Sequence, residues 1–247
     1  MGIDMEKMRA KQAALQNTAD KGKSVFWRPQ DGEQVIRIVP TEDGDPFKEY
    51  WFHYNLGSNP GFLSPKKNFG EECPLDSYVR DLFRQGDDES VKLAKSLMAR
   101  QRFFSPVIVR GEEDQGVRIW GFGKMAYQEL LSLVLNPDYG DITDVSDGTD
   151  LVIKYGKPPG AQFPQTSITP RRKASPLMDD DKTSKKLLSE VPDFTSVFER
   201  KSATEVQGML DEFIASQLSE DEVEEVSSES QKYGGDSAID QKFSELL

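Results

Sequence analysis

Four stretches of the chain combine side chains that could do chemistry. The first is Arg100-Gln-Arg-Phe-Phe104, which runs straight into an apolar, strand-like pattern. Guanidinium groups hold phosphates, and an aromatic ring on a strand offers its face to an unstacked base. Successive strand residues face opposite sides, so only one of Phe103 and Phe104 can face such a groove. The second is the basic run Arg171, Arg172 and Lys173, with Lys154, Lys157 and Phe163 just before it. The third sets Lys66 and Lys67 beside Phe62 and Phe69 in a Gly- and Pro-rich loop. The fourth holds His53 and Cys73, the only histidine and the only cysteine. A thiolate–imidazole catalytic pair needs a group to orient the imidazole, and the sequence shows none. Any one basic run could be a solvated surface. Three basic-plus-aromatic pairs on the loops of one small barrel point instead to a single-stranded nucleic acid.

The elements that must position these residues follow from the pattern along the chain. Gln34-Val-Ile-Arg-Ile-Val39 and the aromatic run Lys48–Tyr54 read as strands, separated by Pro40 and an acidic turn. Leu75–Met98 has helical spacing broken near Gly86. Phe103–Val109 and Val117–Phe122 predict a hairpin, Lys124–Leu135 an amphipathic helix, and Thr149–Tyr155 a further strand. Pro158 to Pro170 reads as extended and turn-rich. Beyond Pro176 the pattern turns helical, with Thr204 and Gln207 as a capping box for a helix over Ala203–Leu218. The fold class expected is α+β with a β-dominated core: a five-stranded OB-fold barrel with inserted and C-terminal helices.

Charge divides the chain into parts. The formal net charge of −12 argues at first against a nucleic-acid partner. From Ser219 onward, however, nine acids face only Lys232 and Lys242, so seven of those charges lie in the last 29 residues. That segment has too little apolar content to fold. The organisation expected is an N-terminal arm over 1–20, a core over 21–218 and an acidic, disordered tail over 219–247. The tail ends in Ile239, Phe243, Leu246 and Leu247 set amid charge, which suits a docking peptide for other proteins. A single cysteine excludes an internal disulfide framework and fits a reducing, cytoplasmic compartment. No apolar run is long enough to span a membrane, and no membrane partner is expected.

In order along the chain, several stretches resemble the T-even-type phage single-stranded-DNA-binding, or helix-destabilising, proteins. They are Gly32–Pro40, His53, Cys73-Pro-Leu-Asp-Ser-Tyr78, Arg100–Val109, Ile119–Lys124, Leu187–Ile214 and the Leu-ended tip Ile239–Leu247. The resemblance implies a non-catalytic protein that coats single-stranded DNA in replication, recombination and repair. Its tail would bind replication and recombination proteins, and an N-terminal basic arm (here Lys7, Arg9 and Lys11) would contact neighbouring copies along the strand. Arg100, Arg102 and one of Phe103 or Phe104 match the family's basic-aromatic strand, and Lys124 a basic position at a helix start. Tyr78 and Phe163 join them as stacking candidates, and Arg171, Arg172 and Lys173 as phosphate contacts. The family's zinc site uses one His and three Cys. Here Ser64 and Asp76 stand at two of those places beside His53 and Cys73, and a hydroxyl is a poor zinc ligand. No metal or other cofactor is therefore expected. The rival reading is a protein-interaction adaptor that has lost DNA binding. A nuclease would need converging carboxylates, and Asp138, Asp141, Asp144, Asp147 and Asp150 are strung along one predicted loop.

Overall fold

The computed structural model describes residues 25–59 and 61–221. Strands β1 (Phe26–Trp27), β2 (Gly32–Ile38), β3 (Lys48–His53) and β4 (Phe62–Leu63) come first. Helices α1 (Pro65–Phe69), α2 (Pro74–Gln85) and α3 (Asp88–Leu97) follow, then β5 (Arg100–Val109), β6 (Arg118–Phe122) and α4 (Lys124–Val134). The chain continues through β7 (Gly148–Gly156), β8 (Gln165–Ser175), α5 (Asp181–Ser189), α6 (Phe194–Val197) and α7 (Ala203–Asp221).

The class is α+β, as expected, but the described sheet is open and has eight strands instead of closing as a five-stranded barrel. Its order is β1-β6-β5-β2-β7-β8, with β3 also on β5 and β4 on β3. The three unforeseen strands share a cause. β1 and β4 are two residues each, too short to show alternation, and β8 is an edge strand rich in exposed polar residues. β8 nevertheless pairs antiparallel with β7 from Gln165 to Ser175, so Arg171, Arg172 and Lys173 lie on a strand and not on a loop.

β5 organises the sheet. Along one edge it pairs first with β3 (Arg100–Phe104 against Phe52–Lys48) and then with β2 (Val107–Val109 against Ile38–Ile36). Pro106, which has no N–H to give to a ladder, sits where that edge passes from β3 to β2. Its carbonyl accepts from Val39 N at 2.9 Å. β6 pairs along the other edge. Phe103, Val107 and Val109 face a core shared with Ile36, Trp120 and Leu130 of α4. Phe104 joins Phe52 and Ile119 on the opposite face, and Ile108 joins Val39 and Leu177. This period-two division buries both faces of the strand.

A separate helical core is formed by α2, α3 and α7, through Leu75, Val79, Leu82, Leu97, Val206, Leu210 and Phe213. Gly86, left-handed at φ 77°, ends α2 where the pattern broke. α7 starts on a capping box of Ser202 and Glu205, not Thr204 and Gln207: Ser202 N and Oγ both donate to Glu205 Oε2, at 2.8 and 2.7 Å.

The sheet is locked at its far end by a buried charge cluster. Asp150 on β7 accepts from the Nε groups of Arg37 (β2) and Arg110 at 2.9 and 3.1 Å. Arg37 also donates to the Ser175 carbonyl at 2.8 Å, and Arg110 to that of Leu177 at 2.7 Å. Burial pushes the Arg37 guanidinium below its ordinary value, and the Asp150 charge works against that push. Asp150 is thus committed to structure, which removes it from any carboxylate cluster for nuclease chemistry. Replacing Asp150 by alanine leaves two guanidinium groups facing each other without their anion. Urea unfolding of Asp150→Ala should show a loss of about 3–5 kcal/mol. A loss below about 1 kcal/mol would mean that solvent, not Asp150, satisfies them.

Candidate nucleic-acid interface

A cleft of about 1030 Å³ opens where β3, β5, β6, the N-terminus of α4 and the β7–β8 turn converge. Among the described residues, Arg28, Arg100, Arg102, Lys124, Lys154 and Lys157 line it, with one acid, Glu129. Glu129 is itself engaged, accepting from Ile168 N at 3.0 Å. Aromatic lining comes from Trp27, Trp51, Trp120, Phe122, Tyr155 and Phe163. Trp27, Trp120 and Phe122 are buried, whereas Trp51, Tyr155 and Phe163 are half-buried and keep surface to offer. The α4 N-terminus brings Gly123 and Lys124 to the cleft, with no side chain capping its first amides.

Of the residues singled out in the sequence, Arg100, Arg102, Lys124 and Phe163 are brought together here. Arg100 additionally donates to the Lys95 carbonyl at 2.9 Å, which holds it at the mouth of β5. Phe103 and Phe104 are not available to a base. They are 2% and 0% exposed, and Phe103 lies against Tyr127 with ring centroids 3.8 Å apart. The expectation of one open face failed because β5 is the central strand, covered on both sides. Tyr78 sits on α2 against the helical core, away from the cleft. Arg171, Arg172 and Lys173 are exposed on β8 beyond Ser167, the last cleft residue of that strand. Lys66 and Lys67 lie on α1 and do not line the cleft, although the Lys67 ammonium stands over the Trp51 ring. Lys7, Arg9, Lys11, Ile239, Phe243, Leu246 and Leu247 fall outside the described residues.

Sequence reasoning missed Arg28, Trp51 and Tyr155, and gave Lys154 and Lys157 only a supporting place. The available signal was an aromatic on a predicted strand, Trp51 within Lys48–Tyr54 and Tyr155 at the end of Thr149–Tyr155; Arg28 carried none. The convergence itself was invisible without the sheet order.

Behind the cleft, His53 at the end of β3 is fully buried. Its Nδ1 lies 2.8 Å from the Leu97 carbonyl, an acceptor, so Nδ1 carries a proton. Nε2 faces Asp76 Oδ2 at 3.4 Å and Cys73 Sγ at 3.7 Å. Ser64 Oγ donates to Asp76 Oδ2 at 3.0 Å and accepts from Lys67 N at 3.1 Å, capping α1. Burial alone would push the imidazole down. Its hydrogen bonds with Asp76 and Cys73, and the Asp76 charge, outweigh burial and raise it from 6.5 to about 9. Asp76 is held below the ordinary carboxylate range, its bonds and charge pairing with His53 overcoming a burial that favours the neutral form. The orienting group and third member lacking in the sequence are thus present. Cys73 is only 2% exposed, however.

A basic, aromatic-lined cleft on an acidic protein has the chemistry that a nucleic acid would require. The family model described as gp32 DNA binding protein like matches residues 30–215, and the chain belongs to that family. The match spans the helical core and the cleft residues from Trp51 onward, while Trp27, Arg28 and Pro29 precede it. No curated protein matches the chain.

The zinc site implied by the resemblance can now be tested against the residues present. His53, Cys73 and Asp76 bring potential ligand atoms within 4.8 Å of one another. The fourth position is Ser64, whose oxygen is already spent between Asp76 and the α1 cap. Four good donors, which a closed structural zinc site needs, are not there. An imidazolium–carboxylate pair satisfies the same atoms with a proton. A histidine raised on folding stabilises fully below its unfolded value near 6.5, and that contribution is lost as pH rises through about 9. Thermal melts should therefore fall across that window by an amount on the order of 3 kcal/mol, and Asp76→Asn should remove the excess fall. Melting in EDTA should match melting without it. Stoichiometric zinc with a melt that collapses in EDTA would show that a metal, not a proton, closes the cluster.

Proposed function

We propose that this protein binds single-stranded DNA in the cleft, with little sequence preference and without catalysis, during phage DNA replication, recombination and repair. The observation that supports this most is the gathering of six cations around one lining acid, with Lys154 also 3.8 Å from Glu33, in the described cleft of a chain whose net charge is −12. Phosphates would meet Arg28, Arg100, Lys124, Lys154 and Lys157, with Arg102 at the floor. Bases would find ring faces at the half-buried aromatics, which accept any base because each has a face. A duplex is about 20 Å across and carries its bases inside, whereas a single strand presents backbone and bases together. Family membership points the same way. The adaptor reading requires no such cleft.

Binding to oligo-dT across a salt series is the direct test. Replacing Lys124 or Lys157 by alanine should lower the slope of log affinity against log salt by roughly 0.7 each, with melting unchanged. Wild-type protein that fails to bind oligo-dT at low salt would overturn the reading in favour of the adaptor.

The tail enters the proposal through its charge. Nine acids after Ser219 resemble a run of phosphates to the basic cleft, tethered at high effective concentration. The tail would compete with DNA and, when displaced, present Ile239, Phe243, Leu246 and Leu247 to replication partners. Truncation after Leu218 should tighten DNA binding at low salt, and the gain should shrink as salt screens the competition. Equal affinities with and without the tail across the series would rule out autoinhibition.

A further inference from the structure

Trp51 is held more firmly than its half-buried position requires. On β3 it stands opposite Gln101 of β5, and both line the cleft. Its backbone is clamped by the side chain of Asn68 from α1. Trp51 N donates to Asn68 Oδ1 at 2.9 Å, and Asn68 Nδ2 donates to the Trp51 carbonyl at 2.7 Å. The same Nδ2 also donates to the Ser64 carbonyl at 2.9 Å. Asn68 thereby engages both main-chain groups of Trp51, whose carbonyl it shares with the Ser64 N–H at 2.8 Å, so the side chain of α1 and the end of β4 hold this edge together. The indole is fixed independently. Its Nε1 donates to Glu49 Oε1 at 3.2 Å, and the Lys67 ammonium stands 5.2 Å from the ring centroid.

A tryptophan held only for packing would be buried like Trp120, at 1% exposure. Trp51 keeps surface, its rotation is restricted from two sides, and Lys67 covers the ring without itself lining the cleft. Restricting a ring before binding reduces the entropy lost when a base settles on it. An ammonium behind the ring is tolerated by the indole's negative face.

We infer that Trp51 is a base-stacking subsite of the cleft, taking an unpaired nucleobase on its open surface, and that Asn68 is its positioning residue. The inference rests on the cleft's binding single-stranded DNA, and it assigns to β3 the stacking role that the buried Phe103 and Phe104 of β5 cannot fill.

The test compares two ligands of equal charge, oligo-dT and an oligomer of the same length with abasic tetrahydrofuran sugars. Full-length Trp51→Ala should bind oligo-dT roughly tenfold more weakly than wild type. It should bind the abasic strand as wild type does, with the salt slope unchanged on both. Trp51→Phe should recover most of the loss. Asn68→Ala should reproduce the dT-specific loss in part, and the quenching of Trp fluorescence by oligo-dT should fall with it. Equal losses on both strands would show that Trp51 acts through the fold or the phosphates, and would overturn the subsite. Full dT affinity in Trp51→Ala would also overturn it, while wild-type binding to oligo-dT leaves the cleft's function standing. Failure of wild type to bind either strand would instead remove the function itself. Thermal melts of each variant separate a lost contact from a lost fold.

Discussion

Strand β5 is buried on both faces and paired along both edges, and the architecture is arranged around those two demands. Its alternating residues divide between two cores, so neither set can be spared for a ligand. What it can offer lies at its start, where Arg100, Gln101 and Arg102 are paired with β3 on one edge and reach the cleft before β6 joins the other edge. The same strand forces the change of partner at Pro106, which lets β2 and β3 share one edge and brings β3, with Trp51, alongside the basic start of β5. A central strand therefore positions the site without supplying its platform.

The second constraint is electrostatic. A chain this acidic can hold a polyanion only where its cations are gathered away from its carboxylates. Within the described residues the cations divide between two roles. Arg37 and Arg110 are withdrawn into the interior with Asp150, where they tie β2, β7 and the segment after β8 together. The cleft cations come from four separate elements, so no stretch of sequence is strongly basic, yet their summed field is concentrated in one concavity. Six positive side chains over one cleft influence a strand's approach at distances near the Debye length, roughly 8–10 Å in ordinary salt.

How much of this was legible depended on whether a feature was local. The β5–β6 hairpin, α4 and the α2–α3 break at Gly86 follow from periodicity and turn chemistry within short windows, and each is found. β8 was not legible because an edge strand with exposed polar residues carries no apolar alternation. Phe103 and Phe104 misled for the converse reason: aromatics next to arginines look like a binding strand, but whether a strand is central is a property of its partners. Arg100, Arg102 and Phe163 were identified by residue type and neighbourhood, and Lys124 through the family resemblance. Arg28, Trp51 and Tyr155 were not, because only the sheet order places them beside those residues.

The buried cluster behind the cleft connects the two levels. Ser64 joins the His53–Asp76 pair to the cap of α1, and α1 carries both Lys67 and Asn68 against Trp51. A five-residue helix has no independent stability, because nucleating one turn costs more than its few hydrogen bonds return. α1 is therefore held by its ends: Ser64 and Pro65 at the start, and left-handed Gly70 (φ 71°) at the close, with Gly70 N donating to the Lys66 carbonyl at 3.0 Å. Loosening the start of the helix frees Asn68 and Lys67 together. Ser64 and Asp76 thus tie the buried histidine to the edge of the cleft. Asp76 gives His53 an anion, and Ser64 uses that anion to fix the helix that positions an aromatic ring at the cleft.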